Sequence, residues 1–270
     1  MRGLFFGPIL PVRRPDTPAP LHSGPVPFYL SAMKLTIIQT GDVPESLRGE
    51  FGPYPPMFTR MFERVGAHYD YDVIRVFEGA PFPDPATLDA ILLPGSAAGV
   101  YDDHFTWMAP LRQFIRAAYA AGTPMVGVCF GHQIMADALG GDVRKSDKGW
   151  GLGRHTYKVH GRPPFMAGAA QTLTVACSHQ DQVIVPPPEA EVILGSEFTP
   201  NAGLFYRNGA ALSVQPHPEF DDAYTRALAE LRRGKAPEAV IETALTSLDR
   251  PSDSAALARH IAAFLDRRAA

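Results

Sequence analysis

Cysteine is scarce in this chain. Its 270 residues include 2, Cys129 and Cys177, too few for a disulfide framework. Histidine occurs 9 times, yet neither H-E-x-x-H nor C-x-x-C spacing is present. No metal site and no cofactor are therefore expected. Long hydrophobic runs are missing too, so no membrane-spanning segment is expected. Blocks of like charge are also absent. With a formal net charge of -3 and 20% charged residues, neither a nucleic-acid surface nor a charged interaction tail is expected.

Hydrophobic residues, by contrast, make up 46% of the chain, ample for a core. The length allows one large α/β domain or two small ones. Prolines crowd the first 32 residues: Pro8, Pro11, Pro15, Pro18, Pro20, Pro25 and Pro27 fall there without sustained periodicity. Residues 1–32 thus read as a peripheral, extended or disordered extension. The apolar run 4–12 is interrupted by Gly7, Pro8 and Pro11, which argues against a secretion signal. A cytoplasmic location is expected. Met33 directly precedes the first good strand and reads as a natural start.

Residues 35–39 form that strand, with Gly41 and Asp42 at its end. In an open parallel sheet such ends face the active crevice. The stretch 44–56 is punctuated by Gly and Pro and reads as a loop, either lining a site or connecting elements. Met57, Met61, Phe62 and Val65 then share a helical face that stops at Gly66. Strands follow at 71–76 and 90–93. Met108, Leu111, Ile115 and Ala118 mark a helix before Gly122. Right-handed parallel crossovers between such elements build a layered α/β sheet. After Gly140-Gly141 the pattern changes to short strands at 173–177, 183–185, 192–196, 204–206 and 211–214. Phe220, Tyr224, Leu228 and Leu231 lie on a helix that ends at Gly234. Pro237 opens another, with Val240, Ile241, Ala244 and Leu248 inward, and Ser252 or Ser254 caps a last one carrying Leu257, Ile261 and Phe264.

The stretch 124–134, P-M-V-G-V-C-F-G-H-Q-I, organises the rest. An apolar run ends in a cysteine between Gly127 and Gly131, and a helical pattern follows with Ile134, Met135 and Leu139 inward. This reads as a buried strand turning sharply into a helix, the glycines allowing close backbone approach. A thiol there lies at a helix N-terminus, where the local field favours the thiolate. Far downstream stands Gln215-Pro216-His217-Pro218-Glu219. Between them, Gly95 and Ser96 open a loop after the third strand, P-G-S-A-A-G-V-Y-D-D, that can turn backbone N–H groups toward an anion. By itself that loop reads more readily as an ordinary strand-to-helix turn. Cys177 reads as core.

Taken together, G-V-C-F-G-H-Q and Q-P-H-P-E resemble the two signature motifs of class I glutamine amidotransferases, over roughly residues 33–231. The resemblance implies a three-layer, open, mostly parallel sheet of the flavodoxin-like class I glutamine amidotransferase fold with a mixed-strand extension. It divides the chain into the extension 1–32, a catalytic domain 33–234 and a C-terminal helical extension 235–270. Packing on the domain is the safer use for that extension, and a homodimer surface is the other. By the same resemblance Cys129 is the nucleophile, His217 its base and Glu219 the residue orienting the histidine. The oxyanion would rest on N–H groups of Gly95, Ser96 and Phe130, with Ser96 departing from the family's paired glycines. Gln133 matches a glutamine that binds the substrate's amino-acid end. Ser178 and His179 match an S-H-x-D loop facing it, and His179 is equally readable as a structural loop residue. Trp150, in K-G-W-G-L-G, is either an aromatic wall or core, with core favoured.

The implied reaction is cysteine-dependent hydrolysis of a γ-glutamyl amide through a thioester, by a stand-alone member similar to the amidotransferase domain of GMP synthase and to γ-glutamyl peptidases. The substrate would be a small γ-glutamyl molecule. No G-x-x-x-x-G-K-[ST] loop is present, so an ammonia-using synthetase would have to be a separate partner. Two alternatives stand beside the hydrolase: an ammonia-donating subunit for such a synthetase, and a non-catalytic binding or regulatory protein on the same fold.

Overall fold

The computed structural model describes residues 33–267; the proline-rich extension expected at 1–32 lies outside them. In chain order the elements are β1 (Lys34–Gln39), α1 (Glu45–Phe51), α2 (Tyr54–Arg64), β2 (Asp70–Arg75), β3 (Ala90–Leu93), α3 (Met108–Ala121), β4 (Met125–Val128) and α4 (Phe130–Ala138). Then come β5 (Asp142–Lys145), β6 (Gly151–Val159), β7 (Thr172–His179), β8 (Asp181–Val185), β9 (Ala190–Gly195), β10 (Gly203–Tyr206) and β11 (Ala211–Val214). Helices α5 (Asp222–Leu231), α6 (Glu238–Ser247) and α7 (Ser254–Asp266) close the described chain.

Nine strands form one sheet in the order β2-β1-β3-β4-β11-β10-β9-β6-β7. The first five run parallel, in the strand order of a flavodoxin-like sheet. The remaining four are antiparallel, and this is the mixed extension. Strands β5 and β8 pair separately. Strands β3, β4 and β11 are buried along their whole length, as a sheet covered on both faces requires. Successive residues face opposite ways. Leu35, Ile37, Leu92 and Val126 join Phe58 and Phe62 of α2 and Ile261 of α7. Ile38, Ile91 and Met125 join Leu111 and Ile115 of α3 and Ile134 of α4. The two clusters are the two helix–sheet interfaces of a three-layer fold. Among the described residues no helix is long and apolar enough to cross a membrane.

Two local expectations are corrected. The stretch 44–56 is not a loop; it holds α1 and the start of α2. Pro44 and Pro53 precede the helices, and Pro55 lies in the first turn of α2, where a missing N–H costs no helical bond. The sequence pattern predicts no strand between 141 and 172, yet the K-G-W-G-L-G stretch at 148–153 runs into β6, whose glycines disguise a nine-residue strand. Gly153 has φ 76°, and a Cβ on it would lie 2.6 Å from the Cα and O of Ala244. Helix α6 therefore rests directly on the β6 backbone, and only glycine fits beneath it.

Gly153→Ala is expected to lower stability by about 2–4 kcal/mol, from left-handed strain plus overpacking. A urea midpoint equal to that of the natural chain would show that α6 does not sit on this backbone.

Candidate active site

Cys129 stands at the C-terminal end of β4. Its φ of 54° is the one positive value at a non-glycine among the described residues. Such a conformation costs on the order of 1–3 kcal/mol and persists only when its surroundings over-determine it. Here they do. The Cys129 N–H donates to Val214 O of β11 at 2.9 Å, and the Gly131 N–H donates to Pro94 O at 3.2 Å. A Cβ on Gly131 would lie 2.0 Å from Leu93 O, and one on Gly127 2.6 Å from Gly131 C. Both glycines are thus needed for the helix to start this close to the sheet.

His217 follows β11, its backbone N–H donating to Ala176 O at 2.8 Å. The imidazole stacks on Phe220, with centroids 3.8 Å apart and planes 7° apart. Nδ1 lies 2.7 Å from Glu219 Oε1. An ionised carboxylate only accepts, so Nδ1 donates, and the ring turns Nε2 the other way. The ring lies beside Cys129, whose influence adds to that of Glu219. Burial is the largest single influence on His217 and opposes its charge, but Glu219 and Cys129 outweigh it and raise the pKa to about 10.

Gly95 lies against this pair: a Cβ on it would be 3.1 Å from His217 Cε1 and 3.8 Å from the Cys129 Cβ. Phe130 is the first residue of α4, so its N–H has no intrahelical acceptor. Ser96 turns its hydroxyl away, donating to Thr40 O at 3.0 Å and accepting from Ala98 N–H at 3.2 Å. A side chain on Gly41 would meet that hydroxyl at 2.8 Å. The serine that replaces a second glycine thus ties the β3 loop to the end of β1.

Two clefts meet at Cys129, sharing Ser96, Ala97, Ser178 and Arg232. One, of about 300 Å³, is walled by Gln133, His179, Asp181, Tyr101 and Trp150. The amide nitrogen of Gln133 donates to Asp181 O at 2.8 Å and to Gln215 Oε1 at 3.2 Å. Tyr101 Oη donates to Asp181 Oδ1 at 3.1 Å. The Ser178 hydroxyl is buried without a partner. His179 is buried and its pKa is lowered to about 3, chiefly by desolvation and then by His155. It is neutral and supplies no positive charge. The other cleft, of about 530 Å³, is walled by Tyr54, Phe220, Leu228, Asp42 and Lys235. Burial, and then Tyr224, push the Tyr54 hydroxyl well above its usual range, so it stays protonated.

Trp150, read as core from the sequence, is half-buried: it packs on the Leu152 cluster and also borders the smaller cleft. Cys177 is buried, its thiol pushed to about 12 by burial. Tyr54 and Arg232 carry no motif signal and were not legible as site residues. Tyr54 lay in the stretch read as a loop, and Arg232 ends a helix that showed only an apolar face. Among the described residues no group of three or more His, Cys, Asp or Glu is placed to hold a metal ion.

A flavodoxin-like sheet with a thiol on its strained strand-to-helix turn, and a histidine–carboxylate pair at the neighbouring strand end, defines an α/β protein with a cysteine–histidine site. The family described as glutamine amidotransferase class-I matches residues 57–227, and the chain belongs to it. A protein of Saccharomyces cerevisiae named as a glutamine amidotransferase is 32% identical over 171 residues, covering 60% of this chain and 67% of its own. A protein of Ignicoccus hospitalis, named as one of the subunits of glutamine-hydrolyzing GMP synthase, is 31% identical over 168 residues, covering 62% and 84%. A solved glutamine amidotransferase structure from Thermotoga maritima superposes with a TM-score of 0.68 at 20% identity, covering 87% of this chain and 97% of that one.

The raised His217 pKa carries a pH signature. A charge favoured in the fold contributes stability fully present below the ordinary value of 6.5 and lost as pH rises through about 10. Glu219→Gln is therefore expected to lower the melting temperature most below pH 6.5, with the gap closing toward pH 10. A gap that stays constant over that range would show that Glu219 does not hold the imidazolium.

Proposed function

We propose that the protein hydrolyses γ-glutamyl amide bonds through a glutamyl thioester on Cys129. The observation carrying this is the line from Glu219 through His217 to Cys129, beside Gly95 and at the meeting of two clefts. A side-chain amide needs an activated nucleophile, a place for negative charge and a proton for the leaving nitrogen. Cys129, as thiolate beside the His217 imidazolium, attacks the amide carbon. The oxyanion rests on the Phe130 N–H and on the Gly95–Ser96 turn. His217 Nε2 gives its proton to the departing nitrogen as the C–N bond breaks, and ammonia or a larger amine leaves. Water then attacks the thioester, His217 takes its proton, and the C–S bond breaks to release glutamate. Glu219 keeps Nδ1 as the donor throughout. Gln133, Ser178 and His179 would hold the amino-acid end in the smaller cleft, His179 as a neutral hydrogen-bonding group.

A second reading is hydrolysis of glutamine to feed ammonia to a separate synthetase, favoured by the likeness to a protein named as part of a GMP synthase. A purely binding role is disfavoured by the strained turn that holds Cys129 beside the His217–Glu219 pair, which a binding protein has no need to maintain.

Glutamate release from a panel of glutamine and γ-glutamyl amides, with Cys129→Ala run in parallel, tests these readings. Turnover is expected to fall by at least about 10³-fold in the variant, since the covalent route is lost. Cys129-dependent turnover of γ-glutamyl amides above glutamine supports the hydrolase. Turnover of glutamine alone moves the assignment to ammonia supply, and Cys129-independent release overturns both.

A further inference from the structure

Arg232 stands at the junction of the two clefts, and the chemistry above leaves it without a task. It follows the last residue of α5, just beyond the family match at 57–227. Its guanidinium lies over the Trp150 ring, 4.6 Å from the centroid, and borders both clefts beside Cys129. Its Nε is shut off from solvent without a hydrogen-bond partner. Other arginines nearby are differently placed. Arg233 pairs with Glu230, Glu238 and Glu242, and Arg154 reaches Asp222 and the carbonyls of Leu248 and Arg250. Carboxylates are thus plentiful on α5 and α6, and among the described residues none pairs with Arg232. A half-buried guanidinium without an anion is costly unless a ligand supplies one. Burial weakens its hold on the proton, with Tyr54, Tyr224 and Cys129 opposing that.

The larger cleft indicates which part of a ligand brings the anion. It offers the apolar walls of Tyr54, Phe220 and Leu228, with Arg232 and Lys235 as its basic groups. These two are three residues apart at one helix end. Asp42 does not cancel them, since it is committed to Arg48 at 3.2 Å and Arg75 at 3.8 Å. The remaining carboxylate on that rim, Glu45, is on the exposed first turn of α1. If the γ-glutamyl group occupies the smaller, polar cleft, the amine half of the substrate enters this one, whose 530 Å³ accommodates an amino acid.

We propose that Arg232, seated on Trp150 and assisted by Lys235, binds a carboxylate on the amine half of the substrate. The substrate class is then γ-glutamyl amino acids or peptides with a free carboxylate. This rests on the γ-glutamyl hydrolase reading and narrows it. The planar fork of arginine suits a carboxylate, and stacking on the indole holds the fork ready.

The test compares γ-glutamylalanine with its carboxamide on the full chain. The acid is expected to be preferred by about 10- to 100-fold in kcat/KM, carried by KM, as the loss of one charge-assisted bond implies. In Arg232→Gln that ratio should collapse toward one, and Arg232→Lys should restore part of it. Calorimetry on Cys129→Ala measures the same acid-over-amide ratio in binding, free of turnover. Turnover of both compounds without discrimination leaves the hydrolase standing and overturns this inference. An equal loss on both in Arg232→Gln also overturns it, because the arginine would then serve the glutamyl end or the thiolate. Arg232-dependent discrimination in binding, with no turnover by the natural chain, supports the inference and sinks the hydrolase reading.

Discussion

The site depends on one close approach, the start of α4 against the end of β3. At Gly131 even a methyl group would overlap Leu93 O, and the Gly131 N–H is spent on Pro94 O. That contact fixes where α4 begins, next to Cys129, and the bond from the Cys129 N–H to Val214 O pins the turn from the other side. A thiol held by two neighbouring strands has little freedom to move. The histidine follows the C-terminal end of β11, the same end whose Val214 pins the cysteine. The thiol and the imidazole are therefore positioned by one sheet, which suits chemistry sensitive to displacements of an ångström.

Charge is arranged to match. Glu219 and Cys129 together overcome the burial that would neutralise His217, while His179 and His132, buried without a carboxylate partner, are held neutral with pKa values of about 3. Three imidazoles in one region thus take different forms for an identifiable reason. His132 ties Ser213 at 2.8 Å to the Asn201 carbonyl at 3.0 Å, a bracing role beneath the site. Charge also separates the arginines, most of which meet acidic side chains or carbonyl groups, while Arg232 lies on an indole.

Much of this was legible from residues alone. Cys129 between Gly127 and Gly131 signals a sharp turn through local spacing. His217 and Glu219 are reached through the resemblance of the two motifs, since a histidine between prolines alone reads as a turn residue. Strands β3, β4 and β11 were legible because a fully buried parallel strand is a continuous apolar run. What escaped did so for physical reasons. Helix α1 and the start of α2 were hidden by prolines that a first turn tolerates. Strand β6 was hidden by Gly151 and Gly153, the second of which admits α6, a partner about ninety residues away in the sequence. The position of Arg232 is set by tertiary packing alone, and no spacing rule announces it.

Strand β11 has a consequence for how the molecule comes together. It is the last strand in the sequence, yet it lies in the interior of the sheet, between β4 and β10. Until it inserts, β4 presents an unpaired apolar edge, and the Cys129 amide has no acceptor to hold its strained turn. The remote pairing is slow to form by its nature, and His217 follows immediately behind it. The thiol and the imidazole therefore come into register at the step that closes the sheet. A partly folded chain carries the cysteine without the imidazole that faces it in the finished sheet.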